Sequence, residues 1–139
     1  MLKLMNIRIL LLVVVALISP ALSRAAETPA PSATAVKRVN IDEYEKLRTG
    51  TNIVILDVRS AAEFEKGHIP GAINIDINSS RFAEQTAQLD KSKTYLVNCA
   101  VGMRSARACK KLESSGFKSL IDLAPGFDGW KKAGKPVHK

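Results

Sequence analysis

The sequence predicts an α/β domain with a mostly parallel central sheet and helices on both faces. Two runs, 52–58 and 94–98, are rich in apolar and β-branched side chains, as is typical of strands buried on both faces. Segments with helical spacing lie between and after these runs, and short turns with glycine or proline separate them. Strands that alternate with helices pack as a parallel sheet covered by helices, which gives the predicted class.

The first half of the domain contains two predicted helices and two predicted strands. Asn40 can cap a helix over 41–47, in which the isoleucine, the tyrosine and the leucine share one face. The first apolar run follows as a strand. Ser60 then caps a short helix over 61–66, and a glycine ends it. A turn with the sequence His-Ile-Pro-Gly leads into a second short strand over 72–75.

The second half continues the alternation of helices and strands. A helix over 80–89 precedes the second apolar run, which is the next strand. The following helix, over 105–115, opens at a serine and ends at Gly116. A further strand is predicted over 119–123. A Pro-Gly turn then leads into a final helix over 127–133, which carries the single tryptophan.

The N-terminus has the three-part layout of a secretory signal peptide, predicted over residues 1–25. A basic start is followed by ten apolar residues, 9–18, and then by proline and small residues. Ten apolar residues are too few to span a bilayer, which takes roughly 20. Residues 26–36 read as a flexible linker, and residues 37–139 form the folded domain. We expect a periplasmic protein, with a membrane anchor formed by an uncleaved signal as the alternative.

The net charge is +8, and the predicted signal carries part of it. Without the three basic residues of the signal, 18 basic residues stand against 13 acidic residues. This excess suits small anionic substrates, and solubility alone would also account for it. The lysine pairs are scattered and have no set of stacking aromatic residues, so no nucleic-acid partner is expected. After signal cleavage we expect no stable membrane association.

Cys99 stands where the second apolar run meets a short loop. Ligands of such sheets bind outside the carboxyl ends of the strands, so this thiol lies at the expected site. The loop 100–104 can turn its backbone amides inward, and Gly102 allows a tight curl. The following helix adds its free N-terminal amides, and Arg104 and Arg107 add positive charge near the rim. These features predict a nucleophilic thiolate with a lowered pKa.

The two cysteines allow other interpretations. Two cysteines in an exported protein suggest a disulfide by default, and a bond between Cys99 and Cys109 is one alternative. Cys109 lies in mid-helix on an apolar stripe, so we expect a packed core thiol there. Cys99 as a small core residue is the other alternative. Two cysteines alone make a poor metal site, and none is predicted.

Residues 39–137 resemble the rhodanese-like sulfurtransferase domain. The match is carried by ILDVRSAAEFEKGHIPGAINI (55–75), LVNCAVGMRSARACKKLESSGF (96–117), LIDLAPGFDGW (120–130) and KKAGKPV (131–137). The resemblance implies that Cys99 accepts a sulfane sulfur as a persulfide and passes it to a thiophilic acceptor. It also implies a persulfide-binding loop, formed by Ala100, Val101, Gly102, Met103, Arg104 and Ser105.

The resemblance further implies the partners of the reaction. The donor is a small anionic compound such as thiosulfate, and the acceptor is cyanide or a thiol. Asp57 and Arg59 match the Asp-x-Arg of the family and, with Arg107, are assigned supporting roles. For Asp57 the residues alone favour a structural role, as a carboxylate that caps or pairs near the loop. No metal and no organic cofactor are implied.

Two other functions stay open. The uncharged loop residues Ala100, Val101 and Met103 are compatible with a carrier or docking module that takes persulfide from a protein donor and turns over small donors slowly. A phosphatase or an arsenate reductase is the third reading. Phosphatases that resemble this family have five residues between the cysteine and the arginine, whereas four separate Cys99 from Arg104, so the resemblance implies sulfur transfer rather than phosphate transfer.

Overall fold

A five-stranded sheet is the centre of residues 36–139, the part of the chain that this computed structural model describes. The strands are β1 (Val36–Val39), β2 (Ile53–Asp57), β3 (Ile73–Asn74), β4 (Thr94–Asn98) and β5 (Ser119–Leu123). The helices are α1 (Ile41–Arg48), α2 (Ala61–Glu65), α3 (Phe82–Ala87), α4 (Met103–Ser114) and α5 (Gly126–Lys132). The predicted signal peptide and the linker up to residue 35 lie outside the described residues.

The strand order is β1-β5-β4-β2-β3, and every pair of neighbours is parallel. The predicted α/β class is confirmed, and the sheet is parallel throughout rather than mostly so. Strand β1 was not predicted. Its sequence, Val-Lys-Arg-Val, is half charged, and the first three of its residues are exposed at the edge of the sheet. A short edge strand of this kind carries no continuous apolar run.

Two apolar clusters cover the two faces of the sheet. One cluster joins alternate residues of β2, β4 and β5 to Phe82 of α3 and to Cys109 and Leu112 of α4. The other joins the opposite residues of the same strands to Tyr44 of α1 and to Trp130 of α5. Side chains of successive strand residues point to opposite faces, so each central strand is buried on both sides. The two clusters therefore fix the central strands from both faces, and with them the loops that follow the carboxyl ends of these strands.

The helix after β4 begins earlier than predicted. The prediction placed its start at Ser105, but α4 begins at Met103, with Gly102 in front of it at φ +85°. This left-handed conformation lets the chain turn straight into the helix, and glycine adopts it at little cost. Arg104 and Ser105 therefore belong to the first turn of α4.

The longest helix of the described residues is α4, with 12 residues. Within residues 36–139 no helix is both long and apolar enough to cross a bilayer.

Candidate functional site

Cys99 directly follows β4, the strand in the middle of the sheet. The strands on both sides of β4 run parallel to it, so their carboxyl ends meet at the same edge. The residue is only 1% exposed and belongs to the cluster on the α4 face. The predicted nucleophile therefore lies at the edge where ligands of parallel sheets bind.

Hydrogen bonds from the loop reach the sulfur of Cys99. The Gly102 amide donates to Sγ at 3.1 Å, and the thiol lies 3.4 Å from the Ser105 hydroxyl oxygen, which accepts from it. Burial raises the pKa of Cys99, but the hydroxyl and amide of Ser105 and the amides of Val101 and Gly102 outweigh it. The pKa of Cys99 therefore lies below that of an ordinary thiol, because these donors stabilise the thiolate.

Helix α5 fixes the orientation of the loop. The Phe127 amide donates to the Cys99 carbonyl at 2.7 Å, and the Asp128 amide donates to the Ala100 carbonyl at 3.0 Å. Gly126 permits this approach, since a Cβ atom there would lie 2.3 Å from the Ala100 oxygen. The carbonyls of the loop thus face α5, which leaves the amides that follow free to face the sulfur.

Gly102 is tightly packed against Ala124 and Arg38. Its φ is +85°, and a Cβ atom on it would lie 2.1 Å from the carbonyl oxygen of Ala124. The Arg38 guanidinium donates to the Gly102 carbonyl at 3.3 Å and to the Ala124 carbonyl at 3.4 Å. Both the conformation and the space at this position therefore require glycine.

Arg104 does not stand free at the rim. Its guanidinium donates to both carboxylate oxygens of Glu63, at 2.8 and 2.7 Å. This bidentate pair lowers the pKa of Glu63 to about 2 and raises the pKa of Arg104. Glu63 also accepts from the amide and hydroxyl of Ser60 in a capping box at the start of α2. A Ser-x-x-Glu pattern is the sequence signal for that box, but nothing in it indicates the arginine.

Asp57 and Arg59 form a buried ion pair at the end of β2. The shortest contact joins Arg59 Nη2 to Asp57 Oδ2 at 2.7 Å, and Arg59 also donates to the Gly67 carbonyl at 2.8 Å. The guanidinium lies over the Phe127 ring, 4.0 Å from its centre. The structural interpretation of Asp57 fits this geometry, because the pair ties β2 to the segment after α2 and to α5.

A pocket of about 250 Å³ opens beside the loop. Its walls include Arg59, Glu63, Lys66, Ala100, Phe127 and Lys131. Lys131 is paired with Asp128 at 3.2 Å, whereas Lys66 has no ion-pair partner among residues 36–139. Asp128 lines the same wall, so three cations stand against two carboxylates, an excess of one positive charge that suits an anionic ligand.

The outer surface of the loop is apolar. Val101 is 58% exposed and Met103 is 75% exposed, whereas Cys99 between them and the sheet is almost fully covered. Arg107 is exposed one turn further along α4, and it lines a shallow groove with Arg38, Met103 and Arg104. The predicted rim residues therefore lie together, although Arg107 does not contact the sulfur.

The second cysteine lies on the same apolar cluster as the first. Cys109 is fully buried in α4, and burial raises its pKa to about 12. Both cysteines are free thiols, so the alternative of a Cys99–Cys109 disulfide is wrong for this structure. The expectation of a packed core thiol at Cys109 is confirmed.

Sequence reasoning missed a buried carboxylate behind the loop. Asp122 of β5 is 1% exposed, and its Oδ2 lies 3.4 Å from Nη1 of Arg38. Its other oxygen has no hydrogen-bond partner within the described part of the chain. In the sequence this residue interrupts an apolar strand, which is the signal that could have indicated it. Within residues 36–139, no cluster of three or more histidine, cysteine or acidic side chains is arranged to hold a metal ion.

Comparison with known proteins places this geometry in a family. The rhodanese-like domain matches residues 40–133, which is more than half of the chain. A rhodanese-related protein of Thermoplasma volcanium has a similar solved structure, with a TM-score of 0.63 and 34% identity, over 73% of this chain and 97% of that one.

Two curated bacterial proteins are similar in sequence. The thiosulfate sulfurtransferase GlpE of Shewanella oneidensis is 29% identical over 97 residues, which cover 70% of this chain and 94% of that protein. YrkF of Bacillus subtilis, named as a candidate sulfur carrier protein, is 27% identical over 110 residues. The chain spans less than two thirds of YrkF, since those residues cover 78% of this chain and 58% of that protein. On this evidence the chain belongs to the rhodanese-like domain family, whose matched members include sulfurtransferases.

Proposed function

We propose that the protein is an exported sulfurtransferase that moves a sulfane sulfur through a persulfide on Cys99. The thiolate attacks the outer sulfur of a donor such as thiosulfate, and a bond forms between Sγ and that sulfur. The sulfur–sulfur bond of the donor breaks, and its electron pair leaves on sulfite. An acceptor, either cyanide or a thiolate, then attacks the terminal sulfur, and the electron pair of the persulfide bond returns to Sγ.

The observation that carries the proposal is the 3.1 Å hydrogen bond from the Gly102 amide to the sulfur of Cys99. It belongs to a set of donors that lower the pKa of the thiol despite its burial. A thiolate with aligned amides needs no separate base to begin the attack. The same amides suit the terminal sulfur of a persulfide, which is also anionic.

Arg104 contributes at a distance in this proposal. Two of its N–H groups are committed to Glu63, so the bidentate fork is not free to hold the donor. Its positive charge still interacts with the sulfur. Negative charge on Cys99 is among the causes that raise the pKa of Arg104, and the interaction is mutual. We assign the direct stabilisation of the anionic sulfur to the amides and a supporting electrostatic role to Arg104.

Intact-mass measurement after treatment with thiosulfate tests the chemistry directly. We expect the wild-type protein to gain one sulfur atom, and cyanide to remove that atom with release of thiocyanate. The Cys99→Ser variant should gain none, while Cys109→Ser should gain one as the wild type does. A gain in Cys99→Ser, or none in a folded wild-type protein, would contradict the assignment.

A carrier function is the second candidate, and the exposed apolar side chains of Val101 and Met103 favour it. Such side chains beside a covered thiol suit contact with another protein. The double variant Val101→Thr with Met103→Gln separates the candidates. A carrier should lose transfer from a polysulfide-treated protein donor and show near-background turnover of thiosulfate. An enzyme for small donors should keep its thiosulfate rate in the same variant.

Export rests on residues 1–25, whose basic, apolar and small-residue segments have the order of a signal peptide. We propose cleavage near Ala25 and release into the periplasm, with an uncleaved anchor as the alternative. The N-terminal sequence of the protein recovered from a periplasmic extract tests this. A mature N-terminus near residue 26 supports release, and an intact Met1 in the membrane fraction would contradict it.

A further inference from the structure

Two cavities border the loop after β4, and they share no lining residue. One is the small pocket beside Ala100. The other is a shallow groove of about 470 Å³, which we call the arginine groove, lined by Arg38, Gly102, Met103, Arg104, Ala106 and Arg107. The small pocket suits a compact anion, whereas the larger groove has room for the side chains of a macromolecule.

The composition of the arginine groove is that of a protein–protein contact surface. Such surfaces are enriched in methionine and arginine and depleted in lysine and serine. Met103 and its neighbour Val101 are the two most exposed large apolar side chains within residues 36–139. A second groove, between α3 and α4, is lined instead by four serines and two lysines. Of these two grooves, the arginine groove is therefore the one suited to dock a protein.

The arginine groove is positively charged. Three arginines line it, and no carboxylate does within the part of the chain that the structure describes. Asp122, 3.4 Å from Arg38, is buried, and that arginine stays half exposed. Glu63 neutralises Arg104 from the side of α2. Arg107 is exposed and has no ion-pair partner among the described residues, so uncompensated charge remains on the groove.

Arg107 does not stabilise its own helix through a charge pair. The side chains three or four positions away from it in α4 are Met103, Arg104, Lys110 and Lys111, and none is acidic. Like charges at such spacings are destabilising. An exposed guanidinium that repels its neighbours and lacks an internal partner is well suited to bind a carboxylate of another molecule.

We propose that the arginine groove docks an acidic protein that carries the acceptor thiol. The inference rests on the proposed function and names the class of its thiol acceptor. Carboxylates of the partner pair with Arg107 and Arg38, and its apolar side chains pack on Met103 and Val101. A second copy of this domain does not match this charge, because 18 basic residues stand against 13 acidic ones after the predicted signal.

A partner in the groove has its thiol close to the reactive sulfur. Gly102 lines the groove, and its amide lies 3.1 Å from Sγ of Cys99. The acceptor thiolate attacks the terminal sulfur of the Cys99 persulfide, and a sulfur–sulfur bond forms on the acceptor. The persulfide bond breaks, and its electron pair returns to Sγ. The negative charge passes from the acceptor to Cys99, so no oxidant or reductant is needed.

Two synthetic acceptor peptides test the docking. In one, leucines and four glutamates flank a single cysteine, and in the other glutamines replace the glutamates. Cys99 is loaded with inorganic polysulfide and desalted, and mass spectrometry follows the sulfur gained by each peptide. We expect the wild type to favour the acidic peptide at least about tenfold at low salt. In about 0.5 M salt the preference should fall below about threefold, because the charges are then screened.

Charge reversal assigns the preference to the groove. Arg107→Glu should reduce the preference for the acidic peptide to about threefold or less at low salt. Lys110→Glu is the matched control, because Lys110 is exposed on the same helix but lines the groove between α3 and α4. It changes the net charge equally and should keep the preference. The ratio compares two peptides on one loaded protein, so a change in the reactivity of Cys99 cancels.

Equal wild-type rates with the two peptides, or an equal loss in both variants, would overturn the inference. If Cys99 does not load, fluorescence anisotropy of a labelled acidic peptide with serine in place of cysteine carries the same comparison of variants. A failure of persulfide chemistry is therefore distinct from a failure of docking. The inference is also overturned by a dimer that Arg107→Glu dissociates in sedimentation. Binding to phosphatidylglycerol vesicles that depends on Arg107, without a peptide preference, has the same consequence.

Discussion

The two cysteines of the domain are almost equally buried, yet their chemistry differs. Cys99 is 1% exposed and Cys109 is 0% exposed, and both pack into the same apolar cluster. The pKa of Cys99 is lowered, whereas burial raises the pKa of Cys109 to about 12. Burial acts in the same direction on both thiols, so it does not decide between them. The difference in pKa comes from the hydrogen-bond donors around the sulfur of Cys99.

Position in the secondary structure explains why only one cysteine has such donors. Within a helix the backbone amides are already bonded to carbonyls one turn earlier, so Cys109 finds little help in α4. At Cys99 the chain leaves β4 and curls before α4 begins, and the amides of that curl have no helical partners. A thiolate needs unpaired donors, and this fold provides them at the end of a strand rather than inside a helix.

The largest expected effect separates the two cysteines by activity. Cys99→Ser should abolish sulfur transfer, because the hydroxyl oxygen of serine is a poor nucleophile toward sulfane sulfur and forms no persulfide. Cys109→Ser should keep transfer and lose stability, since a hydroxyl replaces an apolar thiol in the core; the loss should be about 1–3 kcal/mol. Thiocyanate formation and denaturant unfolding of the two variants measure both effects. Equal activity in the two variants would break the comparison.

Alkylation rates of the native protein sharpen the same comparison. Near neutral pH we expect iodoacetamide to modify Cys99 at least about a hundredfold faster than Cys109, because the pKa of Cys99 is lowered, the pKa of Cys109 is raised to about 12, and only Cys99 lies next to a surface loop. Peptide mass spectrometry over a time course gives both rates. In denaturant the two rates should converge. Preferential labelling of Cys109 in the folded protein is incompatible with the assignment.

Gly102→Ala tests the donors themselves. Its φ of +85° is strained for alanine, which costs about 1–3 kcal/mol, and its Cβ atom would meet the Ala124 carbonyl at 2.1 Å, so we expect a loss larger than this strain alone. The displaced amide should raise the pKa of Cys99 and slow its alkylation. Gly71→Ala is the matched control, because Gly71 has φ +84° and open space around it. This control should show only the backbone strain and an unchanged Cys99 profile.

Glu63→Gln gives the smallest expected effect. The pair with Arg104 is partly exposed, so solvent screening limits its contribution to about 0.5–1 kcal/mol. The pKa of Glu63 is lowered from 4.5 to about 2, so the pair stabilises the fold fully above pH 4.5 and loses this contribution as the pH falls toward 2. Between pH 4.5 and about 2, the free energy of unfolding should therefore fall less steeply with decreasing pH in the variant than in the wild type. Identical acid-unfolding profiles for the variant and the wild type would contradict a stabilising role of the Glu63–Arg104 pair.

The central features of the fold could be predicted because they depend on local patterns. The apolar runs of β2 and β4 are short, rich in β-branched and aromatic residues and bounded by turn residues, which favours strands over buried helices. Cys99 could be found because strand ends of parallel sheets collect ligands. The start of α4 was misplaced by two residues, since Gly102 turns the chain sooner than the serine pattern indicated.

The neighbours of the site could not be predicted, because they come from distant parts of the sequence. Glu63 contacts Arg104 across 41 residues, and Arg38 donates to Gly102 across 64 residues. Each residue has an ordinary local interpretation, as part of a capping box or as an edge-strand cation. Pairing of this kind depends on where the strands lie in the sheet. That order places β1 beside β5 although they are far apart in the chain.

The bonds from α5 to the loop give the thiol a place in the order of folding. Phe127 and Asp128 hold the carbonyls of Cys99 and Ala100, so the amides reach their final orientation only when the most C-terminal helix of the domain docks. A chain folded as far as α4 would contain the cysteine but not its reactivity. We therefore expect Cys99 to become reactive only after α5 has docked, and the rate at which it becomes alkylatable during refolding measures that last step.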